Sequence, residues 1–155
     1  MTGSITFEGG SVLTRLFEEG DRAACQAIAA EAALTSYAPA MPDLVETFDG
    51  QAPLEAVDRR WVAVLGSGVV GFIDMSGSHI ANLFVHPAAQ GRGVGTKLME
   101  IVERDTCGDL TLSVFTVNPR ARKLYERLGF RLVSEGPVAF RGTSKTVWRM
   151  RKVRP

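Results

Sequence analysis

Cysteine and histidine are scarce in this sequence, which contains only Cys25, Cys107, His79 and His86. Their spacing fits none of the cysteine and histidine patterns typical of metal sites, so we expect no bound metal. Disulfides are rare in cytosolic proteins, and we therefore expect both cysteines to be reduced thiols with a structural role.

The sequence also lacks a long apolar run, a secretory signal and an excess of one charge. No stretch is apolar for long enough to cross a bilayer, and no signal peptide opens the chain. The formal net charge of +1 gives no general attraction to nucleic acid or to a membrane surface. We therefore expect a cytoplasmic protein that binds neither. The basic residues from Arg141 to Arg154 are interpreted as a charged outer face, because Trp148 is the only aromatic residue among them.

The composition that is present is typical of a globular protein. The 155 residues are 45% hydrophobic and 23% charged, which is enough to form one domain with a real core. Residues 1–10 are rich in glycine and serine and are predicted to be a flexible extension, and residues 11–155 are predicted to form the domain.

Apolar periodicity and turn residues predict alternating strands and helices. Strands are predicted at residues 12–17, 61–65, 69–75, 79–85, 110–115, from 130 onward, and 147–152. Helices are predicted at residues 22–33, after a glycine-rich loop at 90–96, and at 119–128. Residues 34–58 contain three prolines and are predicted to hold short helices at most. The pattern predicts a mixed α/β sheet with packed helices.

The glycine-rich loop is the most informative segment of the sequence. Residues 90–96 read Gln-Gly-Arg-Gly-Val-Gly-Thr, between a predicted strand and an amphipathic helix. Glycines let the backbone curl tightly beside a ligand, and a helix N-terminus offers unpaired N–H groups and partial positive charge. This combination favours an anion site, most often for phosphate.

Two common phosphate-binding loops do not fit this segment. A P-loop requires Gly-Lys-Ser/Thr, whereas Gly95, Thr96 and Lys97 place the lysine last. A dinucleotide-binding fingerprint requires Gly-x-Gly-x-x-Gly near the start of a βαβ unit, and this loop differs in spacing and position. Nor does the sequence contain the Gly-x-Ser-x-Gly turn of many hydrolases.

A second segment carries recognisable signals further along the chain. Asn118 and Pro119 are typical of a helix N-cap and first position, and Gly129 suits the C-terminal end of that helix. Ala121, Leu124 and Tyr125 lie on one apolar stripe. By periodicity alone, Tyr125 is most simply a core residue.

The two segments together resemble the GNAT superfamily of N-acetyltransferases. The resemblance rests on Leu-Phe-Val-His-Pro-Ala-Ala-Gln-Gly-Arg-Gly-Val-Gly-Thr at 83–96 and Asn-Pro-Arg-Ala-Arg-Lys-Leu-Tyr-Glu-Arg-Leu-Gly-Phe at 118–130. Gln90, Gly93 and Gly95 match the signature Gln/Arg-x-x-Gly-x-Gly/Ala. The resemblance implies the GNAT acyl-CoA N-acyltransferase fold, an α+β fold with a mixed, mostly antiparallel sheet flanked by helices.

The family also implies a function and a set of ligand contacts. Acetyl-CoA would donate an acetyl group directly to a primary amine of a small molecule or protein, in a ternary complex. The backbone of residues 90–96 would hold the pyrophosphate, and the preceding strand would pair with the pantetheine arm. The implied acetyl-CoA contacts are Leu83, Phe84, Val85, Gln90, Gly91, Arg92, Gly93, Val94, Gly95, Thr96, Asn118 and Ala121. Arg92 could equally be a solvated loop residue.

Catalytic roles follow from the same resemblance. Tyr125 matches the family tyrosine that protonates the leaving thiolate, and a phenol with a reference pKa of about 10 keeps its proton at neutral pH. One family branch has a glutamate base at the position of Ser113, which cannot act alone. Another has it at His79, whose imidazole is suited to taking a proton. A surface histidine without a role, or a chain of waters as the base, stays open.

The sequence gives little information about the identity of the acceptor amine. No lysine or arginine occurs between Ala23 and Asp58, whereas this stretch has six acidic residues: Glu31, Asp43, Glu46, Asp49, Glu55 and Asp58. It follows the first strand, a region that often covers the acceptor site in the family. It would favour a cationic amine or form a solvated acidic surface. A non-catalytic coenzyme A-binding domain is the alternative function, and a homodimer is possible by family resemblance.

Overall fold

The chain forms one mixed sheet in a computed structural model that describes residues 10–37, 53–140 and 142–155. The described strands are β1 (Leu13–Leu16), β2 (Arg59–Leu65), β3 (Gly68–Ser76), β4 (His79–Val85), β5 (Leu110–Phe115), β6 (Arg131–Phe140) and β7 (Thr143–Lys152). The described α-helices are α1 (Arg22–Tyr37), α2 (Val94–Asp105) and α3 (Pro119–Arg127), and short 3-10 helices lie at Glu19–Asp21 and Pro87–Ala89. The sheet order is β1-β2-β3-β4-β5-β7-β6. The predicted α+β architecture is confirmed.

Neighbouring strands are antiparallel except for β4 and β5, which are parallel. Parallel neighbours need a crossover connection, and α2 supplies it. The glycine-rich loop therefore lies at the C-terminal end of β4, where the chain leaves the sheet.

Two apolar clusters cover the two faces of the sheet. On one face, α1 packs against Val62 and Phe72; we name it the α1 face. On the other face, the larger cluster includes Ile73, Leu98 and Tyr125, so it joins the sheet with α2 and α3; we name it the α2 face. Successive strand residues alternate between the two faces of a sheet. The cluster to which a β3 or β4 side chain belongs therefore shows the face on which it lies.

Most predicted elements agree with the structure to within a few residues. The strand at 110–115 has the predicted bounds, and the predicted hairpin is formed by β2 and β3. The prediction that α1 stops near Ala33 was wrong, because α1 reaches Tyr37. No residue between Leu34 and Tyr37 breaks a helix, since the first proline of the region is Pro39.

The long hairpin of β6 and β7 was also missed in part, since the last strand begins at Thr143 rather than Val147. Gly136 and Pro137 obscure the strand pattern, but a proline is tolerated here because β6 is an edge strand. The predicted flexible extension lies mostly outside the described residues, as do Asp43, Glu46 and Asp49. None of the described helices combines the length and apolar character needed to cross a membrane.

Candidate active site

The candidate site lies where β4 and β5 separate. In the described sheet these strands pair only through His79 with Thr111 and Ile80 with Leu112. Ala81 then forms a bulge, because the β3 partners skip it, and bulges bend a strand. Beyond it one edge of β4 faces a gap instead of β5; we name this gap the β4–β5 cleft. An unpaired strand edge can hydrogen-bond an extended ligand.

Leu83, Phe84 and Val85 lie along this cleft, as the family resemblance implies. All three are half-buried. Leu83 and Val85 pack against the cluster of the α2 face, and Phe84 packs against the cluster of the α1 face. The side chains of these residues pack on both faces of β4. The backbone along the unpaired edge of the strand is therefore the part that can contact a ligand.

The glycine-rich loop closes one end of the cleft. Gly91 and Gly93 have φ angles of 81° and 78°, in the left-handed region that glycine adopts without strain. A Cβ atom at either position would meet nothing within 4 Å, so the space beside them is open. Gln90 and Arg92 are exposed in the same loop.

The N-terminus of α2 begins directly after this loop, at Val94. Lys97 N donates to Gly93 O at 3.0 Å, one turn into the helix. The N–H groups of Val94, Gly95 and Thr96 precede that bond and have no carbonyl partner within the helix. Unpaired N–H groups at the positive end of a helix dipole are the arrangement that typically binds anions. Gly95 and Thr96 thus belong to the first helical turn and not to the loop.

Gly71, which sequence reasoning missed, lets α2 approach the sheet. A Cβ atom there would lie 2.9 Å from Phe84 O and 3.0 Å from Val94 Cγ1. Such distances are too short for a methyl group, so only glycine fits without a shift. A glycine inside an apolar strand is the sequence signal for a close approach of this kind.

Helix α3 begins with the predicted cap. Asn118 Oδ1 accepts a hydrogen bond from Ala121 N at 3.1 Å, and Asn118 N donates to Phe115 O at 2.9 Å. These bonds fix the turn between β5 and α3, on the β5 side of the cleft. Asn118 is half-buried, as is Ala121.

Tyr125 is buried in the cluster of the α2 face, with 9% of its surface exposed. Its ring meets Phe130 edge to face, with ring centroids 5.9 Å apart. The core packing expected from periodicity is therefore present. This packing fixes the ring of Tyr125, and a fixed phenol is also what a proton donor requires.

His79 lies at the surface, where β4 and β5 still pair. Its Nδ1 is 2.8 Å from Thr111 Oγ1. Partial burial lowers the pKa of the His79 imidazole, and the Glu55 carboxylate opposes this shift. A lowered pKa favours the neutral ring, which is the form that accepts a proton.

A polar network on the α1 face was not expected from the sequence. Arg60 Nε donates to Asp74 Oδ1 at 2.6 Å. Asn82 Nδ2 donates to Asp74 Oδ2 at 3.0 Å and to Glu55 Oε2 at 2.8 Å. Burial raises the pKa of the Asp74 carboxyl, and hydrogen bonds from Arg60 and Asn82 oppose that shift. The only sequence signal was a charged residue inside the otherwise apolar strand β3.

Comparison with known proteins supports the family suggested by the motifs. The profile described as "Acetyltransferase (GNAT) domain" matches residues 57–132. The peptidyl-lysine N-acetyltransferase YjaB of Escherichia coli is 35% identical over 103 residues, which cover 66% of this chain and 65% of YjaB. The N-acetyltransferase MJ1530 of Methanocaldococcus jannaschii is 30% identical over 129 residues, covering 77% of this chain and 78% of that protein. The chain thus matches slightly less than two thirds of YjaB's length.

Solved structures agree in fold. The solution structure of apo YjaB from Escherichia coli has a TM-score of 0.72 at 26% identity, covering 94% of this chain and all of that one. The structure of yncA from Salmonella typhimurium with acetyl-CoA has a TM-score of 0.66 at 17% identity, covering 93% of this chain and 94% of that one. The second similarity concerns the fold alone.

Proposed function

The chain belongs to the GNAT superfamily of N-acetyltransferases, and we propose that it transfers an acetyl group from acetyl-CoA directly to a primary amine. The observation that carries the proposal is the meeting of three features: the β4–β5 cleft, the glycine-rich loop and the N-terminus of α2. An extended arm in the cleft would end with its phosphates at the loop. YjaB and YiaC, both of Escherichia coli, are named peptidyl-lysine N-acetyltransferases, which favours a lysine side chain as the amine.

The main chain would hold the donor. N–H groups at the start of α2 suit a pyrophosphate because they combine unpaired donors with a partial positive charge. The free edge of β4 suits the amides of the pantetheine arm, and a β4 N–H would stabilise charge on the thioester oxygen as it develops. Acetyl-CoA supplies the activated acetyl group.

Tyr125 would supply the proton that the reaction needs. The base first takes a proton from the ammonium form of the amine, and the neutral nitrogen then attacks the thioester carbonyl carbon, so that a carbon–nitrogen bond forms and the carbon–sulfur bond breaks. The sulfur leaves as a thiolate and takes the phenolic proton, and the proton that the nitrogen loses as it becomes an amide restores the phenol. Tyr125 suits this step because its ring is fixed and its reference pKa of about 10 keeps it protonated.

His79 is the candidate base. Its lowered pKa keeps the ring neutral at physiological pH, and its contact with Thr111 orients the ring. We expect the rate to rise with pH along an acid limb centred below the reference value of about 6.5. A His79→Ala variant with the same acid limb would exclude this role and favour a chain of waters.

The acceptor would bind on the α1 face, where the exposed Glu55 carboxylate is hydrogen-bonded to Asn82 of β4. A cationic amine is favoured there by charge. A homodimer and a cytoplasmic location are further expectations of the sequence that await measurement.

The proposal is tested by mixing purified protein with acetyl-CoA and a lysine-containing peptide. We expect release of the coenzyme A thiol together with acetylation of the lysine. Binding of coenzyme A without turnover on any amine would favour the alternative of a non-catalytic coenzyme A-binding domain. Absence of both binding and turnover would contradict the proposal.

A further inference from the structure

A polar row crosses the α1 face beside the β4–β5 cleft. Arg60 on β2 pairs with Asp74 on β3, and Asp74 pairs with Asn82 on β4. The next row on this face is apolar and includes Phe72 and Phe84. The polar row therefore interrupts an apolar surface, and it reaches β4 one residue after the bulge that opens the cleft.

Arg60 and Asp74 form the fixed part of this row. Their side chains are 8% and 1% exposed, and two hydrogen bonds of 2.6 Å and 3.0 Å join the guanidinium to both carboxylate oxygens. The same guanidinium lies over the rings of Phe17 and Phe72, at 5.2 Å and 5.7 Å from their centroids. A pair enclosed in this way cannot meet a substrate, but it can hold a neighbour in place.

Asn82 is the neighbour that the pair holds. Its Nδ2 donates to Asp74 Oδ2 at 3.0 Å and to Glu55 Oε2 at 2.8 Å. Ionised carboxylates only accept hydrogen bonds, so the two partners dictate which end of the amide faces them. The amide oxygen Oδ1 faces away, and no partner for it is found within residues 10–37, 53–140 and 142–155. Because Asn82 is half-buried, its amide oxygen retains the capacity to accept a hydrogen bond.

Glu55 adds charge to the same place. It is exposed, precedes β2 in the sequence and is hydrogen-bonded to β4 through Asn82. Its negative charge acts on both Asp74 and His79. The carboxylate is thus close enough to act on both the proposed base and the polar row.

We propose that Glu55 and Asn82 select a cationic amine as the acceptor, and that Arg60 and Asp74 position Asn82 for this contact. Asn82 Oδ1 accepts a hydrogen bond from the amine, and Glu55 attracts its positive charge. This inference rests on the proposed acetyltransferase function and identifies the residues that recognise its second substrate.

The first test measures steady-state kinetics of Glu55→Gln with acetyl-CoA and a lysine-containing peptide. We expect the KM for the peptide to rise by roughly two- to fivefold, as for loss of an exposed ion pair, with kcat and the KM for acetyl-CoA unchanged. Added salt should reduce the difference from wild type, because it screens an exposed charge. The control is Glu31→Gln, which removes an exposed carboxylate from α1 and should leave all three constants unchanged.

The second test uses Asn82→Leu, which removes the amide but keeps a side chain of similar size. We expect a higher KM for the peptide and an unchanged affinity for coenzyme A in direct titration. If Asn82→Leu does not fold, the inference is tested by Glu55→Gln alone. That variant is expected to fold because Glu55 is at the surface.

The outcomes separate this inference from the proposed function. A wild type that acetylates the peptide, together with an unchanged peptide KM in Glu55→Gln, overturns the inference and leaves the function standing. A wild type that neither binds coenzyme A nor acetylates any amine overturns the proposed function, and the inference falls with it.

Discussion

The two halves of the candidate site would recognise their ligands by different means. On the donor side, the glycine-rich loop, the N-terminus of α2 and the free edge of β4 offer main-chain groups. On the acceptor side, Glu55, His79 and Asn82 offer side chains that come from separate parts of the sequence. Main-chain recognition requires glycines at fixed spacing, whereas side-chain recognition requires only that the fold bring the right groups together.

This difference has consequences for stability as well as for binding. The donor side is held by apolar packing of α2 and α3 against the sheet, with Gly71 allowing the close approach of Val94. The acceptor side is held by the buried pair of Arg60 and Asp74. We therefore expect mutations in the two halves to differ in their effects on stability and on binding.

The largest effect is expected from breaking the buried pair. Arg60→Met should lower the free energy of unfolding by about 3–5 kcal/mol, because it leaves the Asp74 carboxylate buried without its partner. Chemical denaturation measures the change. The control is the double variant Arg60→Met, Asp74→Leu, which removes both charges and should recover most of the loss. Equal losses of unfolding free energy in the single and double variants would show that the loss does not come from breaking the Arg60–Asp74 pair.

The largest effect on activity is expected at Tyr125. Tyr125→Phe keeps the ring and its contact with Phe130 but removes the proton, and kcat should fall by roughly 10²-fold or more. The affinity for coenzyme A, measured by titration, should stay the same. An unchanged kcat would mean that Tyr125 is only a core residue.

A smaller effect separates backbone strain from ligand binding. Gly93→Ala should cost about 1–2 kcal/mol of stability, because alanine is strained at the left-handed φ, and it should weaken coenzyme A binding. Gly66→Ala is the matched control, since Gly66 has a φ of 63° and open space around it in the β2–β3 turn. We expect a similar loss of stability there without a loss of affinity. Equal affinities in the two variants would contradict the assignment of the loop.

The smallest effect concerns pH and His79. Its pKa is lowered in the folded protein, so the unfolded chain binds more protons as the pH falls through the reference value of about 6.5. Stability should therefore decrease on acidification through that window, and His79→Ala should remove this part of the decrease. Thermal unfolding of both proteins across the window measures it. Identical pH dependence in the two proteins would mean that the His79 environment is not as described.

The donor side could be predicted from the sequence because its signals are local. The spacing of Gln90, Gly93 and Gly95 and the cap at Asn118 each lie within a few residues, and both follow from the backbone geometry that they serve. Gly71 was missed because its role depends on a contact with α2, which is more than twenty positions away in the sequence.

The acceptor side could not be predicted because its contacts join distant residues. Glu55 and Asn82 are 27 positions apart, and Arg60 and Asp74 are 14 apart. No periodicity in the sequence predicts such pairs. In the sequence, Asp74 could be recognised only as a charged residue in an apolar strand. Buried charges usually have partners, but the sequence does not identify the partner. Asp43, Glu46 and Asp49, proposed as part of the acceptor region, lie outside the described residues.

The proposed function depends first on the binding of coenzyme A along β4 and at the start of α2. Amide hydrogen exchange with and without coenzyme A tests it most directly, because exchange reports protection segment by segment. We expect slower exchange in residues 81–85 and 90–97 with ligand, and no change in the β6–β7 hairpin. Protection confined to other segments, with β4 and the glycine-rich loop unaffected, would contradict it.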